Sequence, residues 1–197
     1  MGETTTDLLT SPGHPEEAPN LVLIGYRATG KTSVGAELAR LLKRPFVDLD
    51  QVLVAEAGQS VADIVAQGGW AEFRRREKDL VARYRHLRGL VLATGGGVVL
   101  DPENVENLRE NGIIIWLTAE PGAIRARLDT DRPRDDFRPS LTGGDTVSEV
   151  AQVLQAREPL YRAAAQLVID TSRRPVAQVV AEILSALEKR EEINLGG

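Results

Sequence analysis

Gly25-Tyr26-Arg27-Ala28-Thr29-Gly30-Lys31-Thr32 matches G-x-x-x-x-G-K-[ST], the pattern of a phosphate-binding loop. What flanks it decides how it folds. Leu21-Val22-Leu23-Ile24 before it is a short apolar run that reads as a buried strand. From Ser33 to Leu42 the apolar residues Val34, Leu38, Leu41 and Leu42 recur at helical spacing. Gly25 and Gly30 permit backbone torsions that other residues resist, so successive N–H groups can converge on one anion. The helix beginning at Lys31 adds its positive dipole end. The candidate nucleotide-binding set is Ala28, Thr29, Gly30, Lys31, Thr32 and Ser33, with Lys31 reaching the outer phosphates and the Thr32 hydroxyl placed for magnesium. Four fixed positions also occur by chance in a glycine-bearing loop; the strand before and the helix after favour phosphate binding.

Composition narrows the rest. With 197 residues and 42% hydrophobic content the chain can build one compact domain, its core drawn from Leu, Val, Ile and Ala because aromatics are scarce. The absence of cysteine excludes disulfides, thiolate metal sites and cysteine nucleophiles, and is compatible with a reducing, cytoplasmic setting. No apolar run approaches a membrane span, and the N-terminal stretch lacks the basic and apolar regions of a signal peptide. A net charge of −5 without a basic stripe argues against nucleic acid as a partner. An anionic small substrate must then be held by a local arginine cluster.

Strand candidates are Asn20–Ile24, Pro45–Leu49, Gly89–Ala93, Gly112–Leu117 and Ala165–Asp170, with helices between them. Such alternation argues a parallel sheet covered on both faces, with ligands at the carboxyl ends of the strands. Ser60-Val61-Ala62-Asp63 has the form of a capping box, and Pro102, Pro121 and Pro175 each sit where a first helical turn begins. Residues 1–19 read as a flexible tail, 20–189 as the domain and 190–197 as a loose end. The stretch 129–145 is polar and carries Arg132, Arg134 and Arg138. A loop this long is either a lid or a solvated insert; the phosphate loop upstream tips it toward a lid.

Two further features bear on chemistry. Asp48-Leu49-Asp50 closes the second strand candidate, and residues two apart in an extended chain face the same side. Both carboxylates would then emerge beside the phosphate loop, one to hold magnesium and one to orient an acceptor hydroxyl. The competing reading makes one of them the N-cap of a helix over Gln51 to Ala57. Ala93-Thr94-Gly95-Gly96-Gly97 puts bare backbone at another strand end, where a substrate can approach closely. No Walker-B aspartate stands there, which leaves Thr32 and Asp48 as the magnesium candidates.

These pieces, in this order, resemble the shikimate kinase family. The resemblance runs from about Leu21 to Leu187 and rests on the G-x-x-x-x-G-K-T loop, Phe46-Val47-Asp48-Leu49-Asp50, Trp70-Ala71-Glu72-Phe73-Arg74, Ala93-Thr94-Gly95-Gly96-Gly97, Arg138-Pro139-Ser140-Leu141 and Arg157-Glu158-Pro159-Leu160-Tyr161. It implies a single-domain, three-layer α/β/α fold of the P-loop, nucleoside-monophosphate-kinase type, with a five-stranded parallel sheet and a mobile lid. The implied activity is phosphorylation of shikimate by ATP to 3-phosphoshikimate, with Mg2+, on the way to chorismate and the aromatic amino acids. By resemblance, Lys31, Asp50 and Arg138 are catalytic, Asp50 facing the shikimate hydroxyls as candidate base and Arg138 swinging in with the lid. Arg74 and Arg157 would bind the carboxylate, Gly95, Gly96 and Gly97 would line the substrate, and Thr32 and Asp48 would hold magnesium. Arg127 and Arg173 are placed like the family's adenine-flanking residues, although arginines before a helix are as easily a solvated turn. The chain departs from many members in carrying Tyr26-Arg27-Ala28-Thr29 where they place a glycine in mid-loop.

The physical reading of the arginines agrees, since planar guanidinium groups grip a carboxylate through paired donors. Each taken alone reads more readily as a surface ion pair, Glu72 and Glu77 lying near Arg74 and Glu158 beside Arg157. Two alternatives stay open at this point. Another small-molecule or nucleotide kinase of the same superfamily, such as a gluconate or adenylate kinase, is disfavoured by the three glycines and the arginine pair. A non-catalytic nucleotide-binding module predicts damage at Lys31, Asp50 or Arg138, and all three are intact. ATP and shikimate are the expected partners, with no nucleic acid and no membrane, and the chain is expected to act as a monomer.

Overall fold

Residues 17–130 and 147–195 are described in the computed structural model of the chain. Arg138, nearly all of the expected lid and residues 1–16 of the expected tail lie outside them. Five strands form one parallel sheet: β1 (Asn20–Ile24), β2 (Phe46–Asp48), β3 (Val91–Ala93), β4 (Gly112–Thr118) and β5 (Leu167–Asp170), in the order β2-β3-β1-β4-β5. The helices are α1 (Lys31–Leu42), α2 (Leu49–Ala57), α3 (Val61–Tyr84), α4 (Pro102–Glu110), α5 (Pro121–Thr130), α6 (Val147–Ala164) and α7 (Val176–Leu195). No helix among the described residues is long and apolar enough to cross a membrane.

The alternation of side chains along each strand feeds two cores. Val22 and Ile24 of β1 face one side, packing with Leu92, Ile114 and Trp116 against Leu53, Phe73, Leu80 and Tyr161. Leu21 and Leu23 face the other, with Ile115 and Ile169, against Val34 and Leu38 of α1 and Ile183 and Leu187 of α7. A sheet covered on both faces needs strands that are apolar at nearly every position, which is why β1 is buried throughout. In register, Leu23 pairs with Ala93 and Asp48 pairs with Ala93 from the far side. The carboxyl ends of β1, β3 and β2 are thereby level, and the loops leaving them meet.

Three local features differ from expectation. β2 stops at Asp48, and Leu49 and Asp50 already belong to α2, so the two carboxylates do not share one face of a strand. The cause is capping: Asp48 Oδ1 accepts the backbone N–H of Asp50 at 3.1 Å and of Gln51 at 3.4 Å. The helix α3 is broken at Gly69, whose φ of 71° and ψ of 177° only glycine adopts readily. Finally, α7 runs on to Leu195, past the expected domain end at Lys189, and residues 17–19 are held, the Ala18 and Pro19 carbonyls accepting from Gly89 N–H and Arg44. The Ser60–Asp63 capping box forms in both directions, and Pro102 and Pro121 open their helices.

Candidate active site

The phosphate loop is shaped by its neighbours. Gly25 has φ 142°, and a Cβ there would lie 2.3 Å from the Leu117 carbonyl oxygen of β4, so no larger residue fits. Gly30, at φ 93°, starts α1, whose first turn carries no acidic residue to oppose an anion. Thr29 Oγ1 donates to Tyr26 O at 2.8 Å. The Lys31 ammonium donates to Gly25 O at 2.9 Å and Tyr26 O at 2.8 Å, so the cation spans the mouth of its own loop. Thr32 Oγ1 donates to Asp48 Oδ2 at 2.8 Å. Asp48 therefore divides its oxygens, one capping α2 and the other facing Thr32. The capping role is present, on a helix that starts at Leu49 and not Gln51, and it leaves the second oxygen beside Thr32.

Next to this loop lies a cleft of ≈ 480 Å³, its open mouth included. Asp50, Arg74 and Arg157 line it together with the three glycines after β3. Tyr26 and Arg27 of the phosphate loop form part of its wall. These residues come from α2, α3, α6 and two loops, and only the folded chain brings them together.

The three glycines differ in what they permit. A Cβ on Gly95 would stand 2.6 Å from Glu77 Oε1 and 2.8 Å from Asp50 Oδ1. On Gly97 it would stand 2.0 Å from Arg74 Nη2. On Gly96 it would meet nothing closer than 3.4 Å, an ordinary contact. A Cβ at Gly95 or Gly97 would thus push aside the ends of Glu77, Asp50 or Arg74, whereas Gly96 has room for a methyl with nothing displaced.

Arg74 is set by its own helix. Its Nη1 pairs with Glu77 Oε2 at 2.5 Å, and its guanidinium lies 5.7 Å from the Trp70 ring centroid and 5.1 Å from that of Phe73. The break at Gly69 separates this turn from the start of α3. Arg74 is thus paired with the buried Glu77 and also forms part of the cleft wall. Glu72 instead pairs with Arg75 and Arg76, and Glu158 pairs with Arg162. Burial pushes the Glu77 carboxyl above its ordinary range; Arg74 pulls against this, and nearby Asp50 adds to the rise. Its Oε1 is buried without a hydrogen-bond partner among the described residues.

Arg157 Nη1 donates to Gly96 O at 3.1 Å, and the Tyr161 hydroxyl donates to the same oxygen. The two residues are one helical turn apart on α6. Tyr161 is fully buried and stacks on Trp116 with centroids 5.6 Å apart. Burial pushes its hydroxyl up to about 12, so it stays a neutral donor. The Gly96 peptide is in this way fixed from behind. Glu77, Tyr161, Tyr26 and Arg27 were not singled out as site residues from the sequence. Their signal was spacing: Glu77 lies three residues after Arg74, and Tyr161 four after Arg157.

Of the nucleotide-side arginines, Arg127 lies against the loop, its Nη1 donating to Ala28 O at 3.1 Å. Arg173 is largely exposed and stands 3.5 Å from Glu120.

A phosphate-binding loop on a parallel sheet, sharing a wall with a cleft that presents a buried carboxylate and two guanidinium groups, defines a P-loop phosphotransferase for small molecules. Comparison with known proteins narrows the class. The sequence profile described as "Shikimate kinase" matches residues 27–188. The shikimate kinase of Syntrophus aciditrophicus is 44% identical over 179 residues, covering 87% of this chain and 92% of its own length. That of Symbiobacterium thermophilum is 46% identical over 176 residues, covering 88% and 98%. The solved shikimate kinase of Acinetobacter baumannii in complex with shikimate superposes with a TM-score of 0.81 at 32% identity, covering 89% of this chain and 96% of that one. The chain belongs to the shikimate kinase family.

Proposed function

We infer that the chain transfers the γ-phosphoryl group of ATP to the 3-hydroxyl of shikimate, giving ADP and 3-phosphoshikimate, a step toward chorismate and the aromatic amino acids. The observation that carries this is the convergence of Asp50, Arg74, Gly96 and Arg157 in one cleft walled by the phosphate loop. Shikimate offers a carboxylate and neighbouring hydroxyls. Arg74 and Arg157 suit the carboxylate, and Asp50, one residue beyond the start of α2, suits the hydroxyl that attacks. A loose phosphoryl-transfer transition state needs orientation more than base strength, which Asp50 supplies either way.

On the nucleotide side, Ala28, Thr29, Gly30, Lys31, Thr32 and Ser33 cradle the phosphates through backbone N–H groups and the Lys31 ammonium. In the reading proposed, that ammonium leaves the Gly25 and Tyr26 carbonyls for the phosphate oxygens. Arg138 adds a second cation as the lid closes, and Arg127 and Arg173 serve the nucleotide from the far side. Mg2+ is the metal: Thr32 and Asp48 present hard oxygen donors 2.8 Å apart, the kind that ion prefers. When bound with ATP it neutralises charge on the β- and γ-phosphates. The enzyme works in the cytoplasm as a monomer.

A coupled ADP-release assay across a small acceptor panel tests the reading. Turnover of shikimate with magnesium–ATP is expected. Activity on gluconate or AMP but none on shikimate would replace it with the gluconate-like or nucleotide-kinase alternative.

A further inference from the structure

One residue of the phosphate loop adopts a conformation that its side chain resists. Ala28 has φ 57°, on a loop whose other positive-φ residues, Gly25 and Gly30, are glycines. Lys43, also at positive φ, sits at the C-cap of α1, where a left-handed residue is ordinary. A strained residue of this kind persists only when its surroundings hold it.

The holding group is Arg127. Its Nη1 donates to Ala28 O at 3.1 Å and to Thr171 Oγ1 at 3.1 Å. Its Nη2 donates to Thr171 O, and to Ser172 O at 3.3 Å. The far end of this bridge is anchored. Thr171 is buried, its N–H donates to Thr118 O at 2.9 Å, and its Oγ1 lies 3.0 Å from Thr29 O and 3.1 Å from Thr118 O. The Ser172 hydroxyl accepts the Glu120 N–H at 2.9 Å and donates to Asp170 at 2.6 Å. One guanidinium thus ties two consecutive loop carbonyls, those of Ala28 directly and Thr29 through Thr171, to the end of β5.

We propose that Arg127 is a positioning residue for the phosphate loop, clamping Ala28 in its left-handed conformation so that the following N–H groups stay aimed at the triphosphate, and that alanine at this position makes the loop depend on the clamp. The proposal rests on the loop's binding ATP and deepens that reading. It gives Arg127 a role toward the phosphates by way of the backbone, separate from any contact with the adenine ring.

Inorganic tripolyphosphate, which has neither base nor ribose, separates these roles. Its affinity, that of adenosine and the KM values for ATP and shikimate are measured for wild type, R127K, R127Q, A28G and the double variant A28G/R127Q. Loss of one charge-assisted bond should weaken tripolyphosphate and ATP alike, by about tenfold in R127Q, with R127K recovering part of the loss. The shikimate KM should hold. In the A28G background the same R127Q change should cost clearly less, because glycine takes the left-handed conformation unaided. A28G alone should raise the melting temperature by about 2–4 °C as the strain is relieved.

Equal losses in both backgrounds, weakened adenosine with unchanged tripolyphosphate, or a lower melting temperature in A28G would each overturn the proposal. The A28G measurement decides even if R127Q fails to fold. Shikimate turnover by wild type in the same buffer distinguishes failure of the clamp from failure of the kinase reading.

Discussion

The phosphate loop and the acceptor cleft share a wall but are built in opposite ways. The loop is one continuous run, and Thr29 and Lys31 bond back to its own carbonyls at Gly25 and Tyr26, while Thr32 and the Ala28 and Thr29 carbonyls bond outward to Asp48, Arg127 and Thr171. The cleft is assembled from pieces far apart: Asp50 on α2, Arg74 on α3, the glycines after β3, and Arg157 on α6. A contiguous site has most of its groups placed by local torsions and needs only a few outside braces, here Arg127 and Thr171. An assembled site borrows geometry from packing, so residues that never touch substrate set where its functional groups lie. Changes in the cleft should therefore act on the acceptor while leaving the nucleotide largely alone, and this separation can be broken or sharpened by mutation.

The largest effect is expected from Asp50→Asn, which should lower kcat by about 10²–10⁴-fold, as for loss of a positioned acid–base group, with ATP affinity retained. A wild-type rate in steady-state assays would remove Asp50 from the acceptor's side. Gly97→Ala comes next. Its Cβ would stand where the Arg74 guanidinium now lies, so the shikimate KM should rise about tenfold or more through loss of a charge-assisted contact, while the ATP KM holds. Gly96→Ala provides the contrast, because the folded protein has room for that methyl. It should leave the melting temperature nearly unchanged and act on shikimate binding alone; equal destabilisation in the two variants would erase the distinction between these glycines.

Tyr161→Phe is a smaller change. It removes one of two donors on Gly96 O and should cost about 1–1.5 kcal/mol in urea unfolding, with a modest rise in shikimate KM. An unaltered KM would show that the Gly96 peptide is held by Arg157 alone.

The smallest effect concerns pH. Burial raises the Glu77 carboxyl in the folded state above its unfolded value of 4.5, so the folded protein holds this proton more tightly. Stability from that source is complete below the unfolded pKa and fades as pH rises through the folded one. Urea midpoints from acid to neutral pH should show wild type losing ground to Glu77→Gln as pH rises. Parallel curves would mean that Arg74 keeps Glu77 ionised throughout.

Much of this was legible beforehand, for identifiable reasons. β1 was bounded correctly because a strand buried on both faces is apolar at each position, and the loop after it has a fixed spacing. The Ser60 capping box and the prolines at α4 and α5 act locally and were read locally. The Asp48–Asp50 pair was misjudged on the same ground. Taken as extended chain, the two carboxylates share a face; in the folded protein Asp48 caps α2, and Asp50 enters the cleft from a helix. The break at Gly69 was not foreseen, since a lone glycine pair in a helical pattern does not say whether the chain bends.

By itself, the sequence determined the phosphate loop, the parallel sheet and the residue types needed for a carboxylate-bearing acceptor, because these follow from contiguous patterns of torsional freedom, periodicity and charge. Only the tertiary structure decided which arginine meets which carbonyl, which glycines have charged side chains laid across them, and that Glu77, Tyr161 and Arg127 brace Arg74, the Gly96 peptide and the phosphate loop. Those are contacts between segments distant in the chain, and the geometry of such contacts exists only once both cores have closed around the sheet.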